Sequence, residues 1–313
     1  MTINETIPYL SEAQLSSLGI TTFEVIASIE ALVLSLDNQT AWSAPKAAIL
    51  PEDGRYMMVA LAATDDPPLL AVKTVVLNPR NPERGLPQIN GLVTMLNSSS
   101  GLPVAILDGN WITAVRTAGL SATAAKHMAR KDSSVAAFIG CGVQARSHLQ
   151  AFSELFPLKE IRLFGRGKAN IDRFCKDAAD RSIACVDCDS AKAAVTGADL
   201  VITSVTYSAD LIPFIDANWL KPGSFSAITD LAAPWVKASF SAFDQIIIDD
   251  MEQEAAMPNK LAPVEFVTGD LSDVVLGKVA GRTLGSDKTA FIFRGHAMGD
   301  LALSVLAYQK SML

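Results

Sequence analysis

The stretch that most constrains this chain is residues 133–152, SSVAAFIGCGVQARSHLQAF. An apolar run, Val135–Ile139, leads into Gly140-Cys141-Gly142-Val143-Gln144-Ala145, and a helical pattern follows. Strand, glycine turn and helix in that order are the context in which G-x-G-x-x-A reads as a dinucleotide-binding loop. Gly140 would allow the tight turn, Gly142 would let a pyrophosphate approach the backbone, and Ala145 would let the helix pack close on the strand. The phosphates would then rest on the free N–H groups and positive dipole end of the helix. A tight turn that binds nothing is the alternative.

The surroundings agree with the first reading. EIRLFGR (160–166), ACVDC (184–188), DLVITSVT (199–206), GSFSAITD (223–230) and FDQIIIDD (243–250) read as strands, with helical patterns over 168–181 and 190–198. Strands alternating with helices predict βαβ units. The expected fold class is α/β, a Rossmann-type doubly wound parallel sheet over residues 116–290. Nicotinamide sites that take NADH place an acid at the end of the second strand, about 20 residues on. Here that place holds Gly165-Arg166-Gly167-Lys168. Cations suit a 2′-phosphate, and arginine grips one in a fork. NADPH is therefore expected, with NADH possible if Arg166 and Lys168 are only a solvated turn.

Residues 1–115 have a different texture. Ser11 and Gln14 stand at capping-box spacing, and 21–36 is apolar at helical spacing. Tyr56–Ala62, Leu69–Leu77, Gly91–Leu96 and Pro103–Leu107 are β-like runs separated by turn residues. Such runs predict an antiparallel or mixed sheet, hence an α+β unit. The closing helical pattern, MGDLALSVLAYQKSML, gives a second piece, so the expected division is 1–115 with 291–313 against 116–290.

Three cations sit in apolar context. Lys73 interrupts LLAVKTVVL, where burial is costly without an anion; an edge-strand lysine pointing to water is the alternative. Arg116 opens the helical pattern RTAGLSATAAKHMA, just after Thr113, where its charge would oppose the helix dipole unless an anion is near. A structural salt bridge is the alternative. Lys46, in SAPKAAIL, is the third. Asp230 ends the strand FSAIT, on the edge where doubly wound sheets bind ligands. It would serve as a proton carrier or as a helix cap. His127 and His148 fall inside helical patterns and read as packed or surface groups. Cys141 reads as a filler of the glycine loop.

Charge and composition bound the rest. Lys plus Arg is 26 and Asp plus Glu is 33, a net charge of −7 in 313 residues, which argues against a nucleic-acid partner. No apolar run approaches about 18 residues, so no membrane span is expected. The start, MTINETIPYLSEAQL, has neither a basic nor an apolar signal region, and a cytoplasmic protein is expected. Four cysteines are too few for a disulfide scaffold, and Cys185-x-x-Cys188 lacks the partner pair of a zinc site, so no metal is expected.

Taken together, AVKTVVLNPRNPERGLPQINGLV (71–93), SGLPVAILDGNWITAVRTAGLSATAAKHMAR (100–130), FIGCGVQARSHLQAF (138–152), LKPGSFSAITD (220–230) and IDDMEQEA (248–255) resemble the ornithine cyclodeaminase and mu-crystallin family, over nearly the whole chain. The resemblance implies a homodimer whose substrate domain also builds the interface, and a nicotinamide cofactor on the second domain. It implies Lys73 and Arg116 as carboxylate ligands, Lys46 and His296 as further substrate-binding residues, and Asp230 and Lys73 as the catalytic residues. Gly140, Gly142, Val143, Gln144, Ala145, Arg166, Lys168, Thr113 and Thr206 form the expected cofactor set. Two departures stand out. Lys46 occupies a place where an arginine is frequent, and Asp230-Leu231-Ala232-Ala233-Pro234 replaces D-x-P-G. The segment Gly295-His296-Ala297-Met298-Gly299-Asp300 is similar to Δ1-pyrroline-2-carboxylate reductases. The implied partner is a small cyclic imino acid, reduced to L-proline or, for the larger ring, L-pipecolate. An ornithine cyclodeaminase, an alanine dehydrogenase and a non-catalytic NADPH binder are the other readings.

Overall fold

The computed structural model describes residues 6–206, 208 and 210–313. The chain divides into two compact units: residues 1–116 with 296–313, and residues 117–295. Arg116 thus belongs to the first unit. Phe291 and its neighbours stay with the second, because they continue a strand bonded inside that unit's sheet.

The first unit begins with β1 (Tyr9–Leu10), α1 (Glu12–Ser17) and α2 (Thr22–Asp37). Both helices start at capping boxes, Ser11 with Gln14 as the spacing predicts and Thr21 with Glu24 as well. Then come β2 (Ala41–Ile49), β3 (Tyr56–Asp65), β4 (Pro68–Leu77), β5 (Ile89–Asn97) and β6 (Pro103–Asp108). They form a six-stranded sheet in the order β1-β6-β5-β4-β3-β2, antiparallel except that β1 runs parallel to β6. The mixed sheet matches the expectation; β2 was not foreseen. It is an edge strand with a bulge that sets Pro45 and Lys46 against a single partner residue. Proline is tolerated on an edge, and bulges re-aim side chains.

Strand alternation gives this sheet two faces. Ala60, Lys73 and Val93 lie side by side on the inner one and are buried. On the outer face Trp42, Leu61 and Leu92 are each more than a third exposed.

The chain leaves through α3 (Gly109–Met128). This corrects the expectation that Arg116 opens a helix. Asp108 caps the helix by accepting from the Trp111 N–H at 2.8 Å, so Arg116 sits two turns inside and does not face the positive dipole end. Gly109 looks like a helix breaker, but a Cβ there would lie 2.5 Å from the Gly91 backbone. The glycine is required by a close approach of α3 to β5.

The second unit holds β7 (Val135–Ile139), α4 (Val143–Leu155), β8 (Glu160–Phe164), α5 (Lys168–Ala179), β9 (Ala184–Asp187), α6 (Ala191–Val195), β10 (Leu200–Thr203), β11 (Phe225–Ile228), β12 (Gln245–Ile248), α7 (Met251–Ala256), β13 (Val267–Asp270), α8 (Leu271–Val275) and β14 (Thr289–Ile292). All eight strands are parallel, ordered β13-β12-β14-β11-β10-β7-β8-β9. This is a doubly wound α/β sheet, as expected. β10, β11 and β14 are buried at every position, as strands covered on both faces must be. β13 and β14, each four residues long, were not foreseen. The order reverses between β7 and β10, which is where such sheets open a ligand crevice. Cys175 and Cys185 form a disulfide between α5 and β9. That bond takes Cys185 out of any metal site.

The last helix, α9 (Ala297–Ser311), returns to the first unit. It packs on the inner sheet face and on α2, where Ser28 donates to the Ala302 carbonyl and Lys310 pairs with Glu24. No described helix is long and apolar enough to cross a membrane.

Candidate active sites in the two units

In the first unit, α9 places Asp300 among the inner-face cations. Its Oδ1 accepts from Lys73 Nζ at 2.6 Å and lies 2.9 Å from Arg116 Nε. All three side chains are buried, with Lys73 only 1% exposed. Lys73 is thus no edge-strand lysine: β4 is an interior strand. Lys46, half-buried at the bulge of β2, adds its charge to both Lys73 and Asp300. His296, the residue before α9, has Nε2 3.3 Å from Ser43 Oγ on β2. Thr113 lies one turn before Arg116 on α3 and so belongs to this unit, not to that of the glycine loop.

The electrostatics of this cluster are unbalanced. Burial and then the Arg116 charge pull the Lys73 ammonium down to about 7, against the opposing pull of Asp300. Burial would raise the Asp300 carboxyl, but Arg116, Lys73 and Lys46 outweigh it and hold it below the usual range. Two fully buried cations therefore share one buried anion. Arg116 Nε and Nη1 are both buried without a hydrogen-bond partner. A buried unpaired charged donor is expensive. An anion such as one carboxylate removes both the imbalance and the orphans.

In the second unit, Gly140 has φ +93° and its Cβ would lie 2.6 Å from the Ser204 carbonyl, so only glycine fits the turn. Gly142 is the N-cap of α4 with no side-chain cap, and a Cβ there would meet nothing within 4 Å. Thirteen helical residues thus begin at an open backbone cradle of the kind a pyrophosphate fills. Val143 is exposed beside it and begins the first turn, Gln144 follows, and Ala145 is fully buried against the strand. Cys141 is buried, and burial pushes its thiol up to about 11, which suits a filler and not a nucleophile. His148 is fully buried between the Gln144 carbonyl and Ser121 Oγ, and burial lowers it to about 4. It is a neutral packing group.

Arg166 is exposed after β8, while Lys168 opens α5 and is held by Asp172 and Asp187, each at 3.1 Å. Thr206 is exposed beyond β10. Asp230 follows β11 and is buried at the crevice edge. Its Oδ1 accepts from Thr203 Oγ1 and its Oδ2 from the Val205 N–H, both at 3.0 Å. Trp235 Nε1 donates to the same Thr203 oxygen, which aims the hydroxyl proton at Asp230. Burial outweighs these bonds and raises the carboxyl to about 6. Asp230 is therefore no simple helix cap. Leu231 and Ala232 follow it at φ +58° and +56°, a left-handed pair of non-glycine residues that fixes the altered loop.

Sequence reasoning overlooked Asp300 and Ser204. Asp300 had a signal, an acid within the otherwise apolar stripe of the last helix. The Ser204 hydroxyl, buried without a partner beside Gly140, had none.

A family model for the ornithine cyclodeaminase/mu-crystallin family matches residues 13–312. The chain belongs to that family. Among its relatives, the ketimine reductase mu-crystallin of Rattus norvegicus is 32% identical over 259 residues, 81% of this chain and 79% of that protein. Among solved structures, the Δ1-pyrroline-2-carboxylate reductase of Thermococcus litoralis, determined with NADH and L-proline, superposes with TM-score 0.88 at 26% identity over 98% of each chain. An archaeal alanine dehydrogenase dimer with bound NAD gives TM-score 0.86 at 25% identity, covering 98% of this chain and 96% of that one. Family membership accounts for the two-part fold. It does not by itself choose among reduction, deamination and dehydrogenation.

Proposed function

We propose that the protein is an NAD(P)H-dependent ketimine reductase that converts Δ1-pyrroline-2-carboxylate to L-proline and accepts the six-membered Δ1-piperideine-2-carboxylate as well. The observation that carries this is the buried cluster with one uncompensated cation and two arginine nitrogens without hydrogen bonds, a complement for a single carboxylate. Likeness to the Thermococcus litoralis reductase supports the ring substrate. One methylene more or less is worth only about 1–3 kcal/mol, which is why both rings are included.

The open cradle at Gly142 fits a nicotinamide dinucleotide, whose part is to supply a hydride for the imine carbon. Arg116 and Lys73 hold the carboxylate, with Lys46 and His296 lining the same unit's site. Fixing the carboxylate fixes the ring, and with it the orientation of the imine carbon. Asp230, protonated below about pH 6 in the unliganded protein, keeps the imine nitrogen protonated, and an iminium accepts hydride far better than a neutral imine. Arg166 favours NADPH; Lys168 contributes less because two carboxylates already neutralise it. The exposed apolar outer sheet face, with a groove of about 690 Å³ lined by Ile49, Met57, Val59, Val76 and Leu92, supports a homodimer formed across β2–β5. Sedimentation equilibrium tests this, with a monomer counting against it.

The deciding assay follows NADPH and NADH absorbance with Δ1-pyrroline-2-carboxylate, beside a tube of L-ornithine and NAD assayed for ammonia. Oxidation in the first with no ammonia in the second is expected. Ammonia release without net cofactor use would make the protein a cyclodeaminase instead. Arg116→Ala should lower kcat/KM at least about tenfold, as loss of one charge-assisted bond predicts. A near-normal value would take Arg116 out of the site.

A further inference from the structure

We infer that Asp300 is the positioning residue of the carboxylate site: through one carboxylate oxygen it keeps Lys73 charged and Arg116 oriented toward an incoming monocarboxylate. The inference rests on the carboxylate-site reading above and assigns a role to a residue on a separate element, α9.

The geometry is specific. Lys73 comes from β4, Arg116 from α3 and Asp300 from α9, and the two cations converge on the same oxygen, Oδ1. That oxygen holds the ammonium by a hydrogen bond and lies 2.9 Å from Arg116 Nε, an ion pair without a hydrogen bond. Arg116 Nη1 is left without a partner. An arginine whose charge is paired while two of its buried donors stay unsatisfied keeps part of its planar fork for a carboxylate. The second Asp300 oxygen is buried and makes no hydrogen bond, so the residue is not placed to satisfy itself.

The charged groups that face Asp300 are Lys73, Arg116 and, from β2, Lys46. Lys73 is pulled down by burial, by Arg116 and by Lys46, and Asp300 is what opposes this. Without Asp300, Lys73 would stand buried beside a permanent cation and would give up its proton. The site would then offer a carboxylate one cation in place of two. The role is therefore a change in the pH range of anion binding, not a uniform weakening.

The test measures the affinity of the full-length protein for pyrrole-2-carboxylate, a ring monocarboxylate without a basic nitrogen, from pH 5.5 to 9. NADPH binding serves as the check that the variants are folded. In Asp300→Asn the midpoint at which affinity is lost should move down by at least about one pH unit, so that affinity near pH 7 falls about fivefold or more and recovers toward pH 5.5. Asp300→Glu, which keeps the charge, should restore most of the midpoint. Lys73→Met should remove this pH dependence, and in that background Asp300→Asn should cost little more. The inference is overturned if Asp300→Asn weakens binding by one factor at every pH, or if the two substitutions simply add. If Asp300→Asn does not fold, a Lys73→Met protein with unchanged pH dependence overturns it equally. Absence of any pyrrole-2-carboxylate binding by the unaltered protein would instead overturn the carboxylate-site reading itself.

Discussion

Around Gly142 the groups open to a ligand are backbone N–H groups at the start of a helix, reached across Gly140 and Gly142, which have no side chain. Around Asp300 they are the ends of long charged side chains drawn from different elements. The first kind of site needs glycines at fixed spacing and little else, because the helix supplies the charge. The second needs a compensated cluster, because an unpaired buried charge costs several kcal/mol. One site is a shape with its polarity built in. The other is an electrostatic balance that one proton or one residue can tip.

Asp230 shares features of both, since a strand end positions it and burial sets its charge. It offers the largest expected effect. Asp230→Asn keeps the shape and removes the transferable proton, so kcat for ketimine reduction should fall about 100-fold or more while NADPH affinity is unchanged. A loss confined to cofactor affinity would assign Asp230 to the cradle instead. In the unaltered protein kcat/KM should decline as pH rises through about 6, the range in which the buried carboxyl ionises. The stability sign follows from the same shift. The folded protein holds this proton more tightly than the unfolded chain does, so Asp230 makes stability fall as pH rises from about 4 to about 6. Thermal melts should show that slope diminished in Asp230→Asn.

This contrast also explains what could be read in advance. The cradle is written in contiguous residues, 135–145, so spacing alone disclosed it. The cation cluster joins positions 73, 116 and 300, which no local pattern connects. Lys73 and Arg116 stand out in the sequence only as charges in apolar company, and Arg116 reads as a helix opener because Gly109 disguises the true helix start. Its real explanation, Asp300, is an acid in the first turn of a helix whose residues are mostly buried as far as Ala307, a fact that packing decides. β2 was missed because Ala44-Pro45-Lys46-Ala47-Ala48 has poor strand propensity, and it forms as an edge strand held by β3. Tertiary pairing there overrides local preference.

The smallest expected effect sharpens the comparison at its narrowest point, two glycines one residue apart. Gly142→Ala adds a methyl group that touches nothing within 4 Å, so the melting temperature should hold. The methyl occupies the space the pyrophosphate would take, and NADPH affinity should drop about tenfold, roughly 1.4 kcal/mol. Gly140→Ala puts its methyl 2.6 Å from the Ser204 carbonyl at a left-handed φ, so it should lower the melting temperature as well as the affinity. Neither change should alter pyrrole-2-carboxylate binding, since both residues lie in the second unit. Isothermal titration with each ligand, beside thermal melts, separates these outcomes. If Gly142→Ala bound NADPH as well as the unaltered protein, the cradle would be a tight turn and nothing more.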